Sequence, residues 1–381
     1  MNRVFIADGL RTHIGIRKGI FKEIRPELLG AEVLKGLGER QDLREMDQVI
    51  CGNAVGPGGN IGRLTVLEAG LPEEIPAMTV DLQCASGLAG IDIAFAKIAS
   101  GQCSLIAAGG IESTSLQPHR LYHENDPRRG EGNGEYLSAQ FIPGEYSDNA
   151  MIRGAERTAA GEQITREEAD AAALDSQQKA MEASRQGYLK DVILPVFGSV
   201  RDEAIRPRIT GKVFRRAPVI SGMPDGIMTS ANVCTINDGA AFLLLCSEAW
   251  LKEHHIMPMA EILGTETIGT DAARPPLSAD RSTGRLLSDA HMTYEEVDAF
   301  EYNEAFSIID VLFTRAHPGM AERYNSLGGA LAYGHPYGAS GAVILLHLMT
   351  ALKLRQGKIG VAAIAAAGGV GVSMLIRSLQ P

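Results

Sequence analysis

Asp81-Leu82-Gln83-Cys84-Ala85-Ser86-Gly87-Leu88 is the stretch on which the fold turns. A short strand-like run, Met78 to Leu82, leads into the cysteine. After it Leu88, Ile91, Phe95 and Ile98 recur at helical spacing until Gly101 stops the pattern. Cys84 therefore falls on a strand-to-helix turn, where unpaired N–H groups favour an anion and hence the thiolate over the thiol. The competing reading is a core thiol, because free cysteine is among the most buried residue types.

The far end of the chain supplies a partner. His335 stands in Gly328-Gly329-Ala330-Leu331-Ala332-Tyr333-Gly334-His335-Pro336-Tyr337-Gly338-Ala339-Ser340-Gly341, also just before a helical pattern, with glycines that permit close backbone approach. Tyr302-Asn303-Glu304-Ala305-Phe306-Ser307 adds an amide and a carboxylate. Thiol, imidazole and amide are one workable set for acyl chemistry: nucleophile, base and oxyanion donor. These three motifs resemble those of the thiolase family, and the resemblance runs from Val4 to Met374. It takes in Arg11-Thr12, Ala108-Gly109-Gly110-Ile111-Glu112 and Asn237-Asp238-Gly239-Ala240-Ala241. Each motif alone is weak; their order over nearly the whole chain is specific.

With 381 residues, 45% hydrophobic and 22% charged, the chain can bury a large core in two or three domains. A formal charge of −10 argues against a general nucleic-acid binder, and any polyanionic ligand needs a local basic patch. The five cysteines (Cys51, Cys84, Cys103, Cys234, Cys246) are scattered, with no Cys-x-x-Cys pair, which suits a reducing compartment. Cys51 and Cys103 lie in strand-like surroundings and read as core thiols. No apolar run approaches the roughly 20 residues needed to span a bilayer, Val4 to Ala7 is too short for a signal peptide, and Ser378 to Pro381 is no peroxisomal address. A cytoplasmic protein with no membrane partner is expected.

Strands alternate with helices, as in a layered α/β domain. Helices are expected over Pro26 to Leu37, Asn60 to Ala69 and, behind a capping box of Thr165 and Glu168, on to Gln186. Ser86-Gly87, helix, Gly101-Gln102, strand, Gly109-Gly110 is echoed by Ser340-Gly341, helix, Gly357-Lys358, strand, Gly368-Gly369. Two facing copies of one unit would bring Cys84 and His335 to a common centre. The second helix, Ala342 to Leu354, is apolar on nearly every side and reads as buried. The family resemblance implies a five-layered α-β-α-β-α arrangement of two similar halves. The expected division is 1–115 with 235–257 as the N-terminal half, 116–234 as an inserted loop domain, and 258–381 as the C-terminal half. Within the insert, His119 to Tyr146 is polar and should be exposed.

Other motifs carry less. Gly368-Gly369-Val370-Gly371 has too little chain after it for a dinucleotide fold. No P-loop or His-Glu-x-x-His site occurs. His254-His255 reads as surface and His347 as a satisfied core histidine, while His13, His119, His123, His291 and His317 have no supporting pattern.

The resemblance implies that Cys84 takes an acyl group from a coenzyme A thioester. His335 would activate the thiol and Asn303 would fix a water at the second oxyanion site. The backbone N–H groups of Cys84 and Ala367 would hold the first oxyanion. Phe306 would line the pantetheine tunnel, and the basic residues Arg206, Arg208, Lys212, Arg215 and Arg216 of the insert would meet the phosphates. The thioesters are substrates, with no permanently bound cofactor or metal, and a homodimer or homotetramer is implied. Three positions depart from the family pattern. Ala365 replaces a second cysteine that serves as acid and base, a loss that commonly costs about 10²–10⁴-fold. Cys234 replaces a pantetheine-contacting serine, and Ala150, beside Met151, replaces a histidine. The enzyme reading therefore competes with a catalytically incomplete acyl-CoA-binding or partner protein, and with a condensing enzyme acting on another acyl carrier.

Overall fold

The structure, a computed structural model, describes residues 2–130, 134–145 and 149–380. Nine strands form the frame: β1 (Val4–Thr12), β2 (Gln48–Gly52), β3 (Ala77–Val80), β4 (Leu105–Ser113), β5 (Asn237–Ser247), β6 (Ala260–Gly269), β7 (Ala299–Tyr302), β8 (Ile359–Ala366) and β9 (Val370–Ser378). They lie in the order β7-β8-β9-β6-β1-β5-β4-β2-β3 within an 11-stranded sheet whose two further strands are Gly15–Ile16 and Ile193–Leu194. The duplication inferred from sequence is explicit in the pairing. In the first half β2 is parallel to β4, which is antiparallel to β5, which is antiparallel to β1. In the second half β7, β8, β9 and β6 repeat that series. The antiparallel pair β1–β6 joins the halves.

Strand side chains alternate between faces, so a sheet covered on both sides must be apolar throughout. Ile106 and Ala108 of β4, with Ala362, Ile364 and Ala366 of β8, face a central core containing helices α1 (Ser86–Ala99) and α2 (Tyr337–Arg355). Leu105, Ala107 and Ile111 face the opposite way, onto the Pro26–Gly38 helix. Val361, Ala363 and Ala365 face an outer core with the Ser278–Asp289 and Ile308–Ala316 helices. Helix, first half of the sheet, paired central helices, second half of the sheet and helix make the five expected layers. Each Leu or Ile buried in them contributes about 1.5–3 kcal/mol.

α2 starts at Tyr337, five residues earlier than the apolar pattern indicates, directly after Pro336. It is long and apolar enough to cross a bilayer by length and composition, which corrects the expectation that no run approaches that length. Most of it is buried between the sheets, the place of a core helix. α1 and α2 meet at their first turns. A Cβ on Gly341 would lie 2.1 Å from the Leu88 nitrogen, and one on Gly87 would lie 2.5 Å from the Gly338 carbonyl oxygen. Only glycine lets two backbones approach so closely.

Between β4 and β5 the chain leaves this frame. The Arg166–Gln186 helix opens with the expected capping box at Thr165 and closes on Gly187 in the left-handed conformation. Arg11 Nη1 and Nη2 donate to the two carboxylate oxygens of Asp202 at 2.8 and 2.9 Å, a buried bidentate pair that ties the inserted segment to β1. The expected excursion, His119 to Tyr146, is mostly exposed or half-buried where described; its residues 131–133 and Tyr146 lie outside the described residues. Cys51 is a core thiol as expected, whereas Cys103, at the turn before β4, is only half-buried and packs against the margin of the central core.

Candidate active site

Cys84 lies in the single turn Gln83–Ala85 that joins β3 to α1. Gln83 adopts φ 53°, a left-handed conformation costing a non-glycine residue about 1–2 kcal/mol. Side chains hold the turn. Gln83 N–H donates to Asp81 Oδ1 at 2.8 Å. Leu82 N–H donates to Ser86 Oγ at 2.9 Å, and that hydroxyl donates to the Gln83 carbonyl at 2.6 Å.

Burial pushes the Cys84 thiol up to about 12, with the Glu112 and Asp81 charges adding to the rise; the backbone N–H groups of Cys84 and Ala367 act against it. The net direction is opposite to the thiolate expected from a helix start, because the turn is closed off from water and desolvation outweighs those donors. Below the pKa each pH unit raises the thiolate fraction tenfold. Alkylation of Cys84 by iodoacetamide in the resting protein should therefore keep accelerating from pH 7 to 10. Site-resolved peptide mass spectrometry can follow it, and a plateau below pH 8 would contradict the assignment.

His335 is buried, and burial lowers its imidazole to about 3. The His335 backbone N–H donates to Asn237 Oδ1 at 3.0 Å and to the Thr235 carbonyl at 3.1 Å. Nε2 lies 3.4 Å from Asn303 Nδ2, and Nδ1 lies 2.6 Å from Ser340 Oγ. An amide nitrogen can only donate, so Nε2 accepts and the proton sits on Nδ1, directed at Ser340. The long Asn303 contact leaves the Nε2 lone pair open to a further proton. Asn303 itself is fixed where β7 ends, its N–H donating to the Ala363 carbonyl at 2.9 Å. The neighbouring Glu304 accepts from Ser176 Oγ (2.5 Å), Asn325 Nδ2 (2.8 Å) and Leu331 N–H (3.2 Å).

Sequence reasoning left Ser340, Asn237 and Glu112 without roles, although all three stand in quoted motifs. Glu112 Oε1 accepts from Asn53 Nδ2 (2.9 Å) and Val55 N–H (3.3 Å), and Oε2 from Ala54 N–H (2.9 Å) and Gly338 N–H (3.1 Å). A carboxylate of the first half thereby holds the first turn of α2 beside Cys84. Burial lifts Glu112 to about 7 against those donors.

Phe306 is buried, Met151 and Cys234 are half-buried, and all three pack in the outer core that contains Ala365. Of the basic set, Arg208, Lys212, Arg215 and Arg216 are exposed and Arg206 is half-buried, with the last three exposed cations on the short Gly211–Arg216 helix. None of the five is ion-paired with another described residue. His347 corrects its expectation. It is buried with Nδ1 3.7 Å from Glu301, but its Nε2 has no hydrogen-bond partner because it lies within the apolar central layer. Among the described residues no cluster of His, Cys, Asp and Glu could hold a metal ion.

Comparison with known proteins agrees with this frame. Family models described as the thiolase N-terminal and C-terminal domains match residues 4–249 and 256–378. The YhfS protein of Bacillus subtilis (strain 168), provisionally named an acetyl-CoA C-acetyltransferase, is 34% identical over 381 residues, covering 100% of both chains. VraB of Staphylococcus aureus (strain MSSA476), provisionally named likewise, is 36% identical over 361 residues, covering 91% of this chain and 93% of its own. The crystal structure of the Bacillus anthracis acetyl-CoA acetyltransferase superposes with a TM-score of 0.90 at 29% identity, covering 100% of this chain and 99% of that one.

Proposed function

This chain belongs to the thiolase family of acyltransferases, and from that premise we propose that it is an acyl-CoA C-acyltransferase of the acetyl-CoA acetyltransferase or 3-ketoacyl-CoA thiolase type, working by ping-pong transfer through an acyl-Cys84 intermediate. The observation that carries the reading is the close approach of the Cys84 and His335 turns at the first turns of α1 and α2, where a Cβ on Gly87 would lie 2.5 Å from the Gly338 carbonyl oxygen. In this reading the backbone N–H groups of Cys84 and Ala367 hold the oxyanion, a role in which such donors typically contribute about 3 kcal/mol each. The neutral imidazole of His335 takes the thiol proton on Nε2 as sulfur attacks the thioester carbon, so that ions form only when substrate is present. Asn303, 3.4 Å from that nitrogen, then shares with it the oxygen of the second thioester through a fixed water.

The phosphates of coenzyme A lie against Arg206, Arg208, Lys212, Arg215 and Arg216, with the pantetheine arm running past Met151, Cys234 and Phe306. Exposed cations without a carboxylate partner among the described residues, on a chain of formal charge −10, support that placement. No permanent cofactor is part of this reading, nor is a nucleic-acid or membrane partner. Five free cysteines support a cytoplasmic setting. β3 ends the sheet with a half-buried edge, and Leu64 and Leu67 beside it are exposed, which supports a homodimer or homotetramer. Mixing the purified protein with acetyl-CoA should place one acetyl group on the peptide carrying Cys84, read by intact and peptide mass. An unmodified Cys84 under these conditions sinks the proposal.

A further inference from the structure

Forming or breaking a carbon–carbon bond beside a thioester requires a group that exchanges a proton with the α-carbon, and position 365, on the strand next to the site, holds alanine. The charged and hydroxyl groups nearby are committed. All four acceptor positions of Glu112 are occupied by donors, and Glu304 takes three. Tyr337, whose ring edge meets His335 at 4.9 Å between centroids, carries a phenol, ordinarily a weaker acid than a thiol, and burial makes it weaker still. His335 already serves the Cys84 proton.

Cys234 is differently placed. The segment around it is stitched to both other catalytic stretches. Val233 bridges Phe306, Cys234 N–H donates to the Ala305 carbonyl at 3.1 Å, and Ile236 bridges His335, whose N–H reaches the Thr235 carbonyl. Cys234 thus stands on the backbone between the Asn303–Phe306 turn and His335. Its side chain packs in the same outer core as Ala365 and Phe306. Unlike Cys51 and Cys246, it is not fully buried.

We propose that Cys234 is the acid and base of the carbon–carbon step, a second thiol that faces the site from the 233–236 segment instead of from β8. The inference rests on the acyl-Cys84 reading. In cleavage His335 takes the Cys84 proton, Cys84 sulfur bonds to the β-carbonyl carbon, and the electron pair of the broken carbon–carbon bond moves to the α-carbon. That carbon takes the Cys234 proton, releasing acetyl-CoA and leaving a Cys234 thiolate. The incoming coenzyme A thiol gives its proton to this thiolate while its sulfur attacks the acyl-Cys84 carbonyl. The departing Cys84 sulfur recovers its proton from His335. Every proton is returned and nothing is oxidised or reduced. Burial raises the Cys234 thiol, so the resting group is protonated, ready to donate in cleavage and strongly basic once ionised.

The test uses the full chain and three readouts: the acetyl adduct on Cys84, thiolysis of acetoacetyl-CoA, and deuterium incorporation from heavy water into the acetyl methyl group of acetyl-CoA. Cys234→Ala should slow thiolysis and deuterium incorporation by about 10²–10⁴-fold at saturating substrate, while the acetyl adduct still forms at raised acetyl-CoA that offsets any lost pantetheine contact, since a thiolate can leave without an acid. Cys234→Ser keeps the shape and should be equally impaired in both. Adding Ala365→Cys to Cys234→Ala should restore part of the exchange. Wild-type rates of exchange and thiolysis in Cys234→Ala, with the adduct present, overturn this proposal alone. An adduct in the wild type with no exchange also overturns it. Absence of the adduct in the wild type overturns the acyl-Cys84 reading and this inference with it.

Discussion

Cys84→Ala should lower turnover of acetoacetyl-CoA with coenzyme A by about 10⁴–10⁶-fold, the range seen when a covalent nucleophile is removed from an intact site. The change deletes a sulfur and adds no bulk. The left-handed Gln83 turn is held by Asp81 and Ser86, whose bonds do not involve residue 84, so the site should keep its shape. The cations of the insert are on other elements, and coenzyme A affinity should stay within about threefold, since binding and covalent chemistry are separable contributions. Steady-state kinetics and calorimetric titration distinguish the two quantities. Residual turnover within tenfold of wild type would assign the chemistry to another group.

Gly341→Ala should be as damaging by a different route. In an open helix that change would gain about 1 kcal/mol from propensity. Here the new methyl would stand 2.1 Å from the Leu88 nitrogen and 2.7 Å from its Cα, atoms of a helix backbone that no rotamer change can move. α1 and α2 must separate, at a cost at or above the about 1–3 kcal/mol usual for overpacking. The separation also displaces Cys84 from His335. Urea denaturation should show a lower midpoint, and acetylation of Cys84 should fall in the protein that remains folded. Gly319→Ala is the control, because a methyl added there would have no atom within 4 Å. An unchanged midpoint in Gly341→Ala would mean that the helices slide apart freely.

Local chemistry was well written in the sequence. The capping box at Thr165, the turn at Cys84 and the echo of two helix–strand units all depend on neighbours within a few residues, and all stand in the structure. What escaped depends on distance. Whether Cys84 is thiol or thiolate is decided by how completely two halves exclude water, which no eight-residue window contains. Ser340 stood in the sequence only as part of a repeated Ser-Gly pair until folding set its hydroxyl against His335, and Glu112 only as the end of a glycine motif until Gly338 arrived from 226 residues away. α2 began earlier than its apolar residues indicated because Gly338 and Gly341 are placed for contact with the other helix and carry no hydrophobic signal.

The Glu112 clamp has a consequence for how such a chain could be divided. Its carboxylate gathers three donors from the first repeat and one from the second, so a fragment holding either repeat by itself would be left with a charge or an amide facing nothing. The repeated strand series therefore does not amount to two separable modules. Like the two sides of a zipper, each copy is finished only by the other.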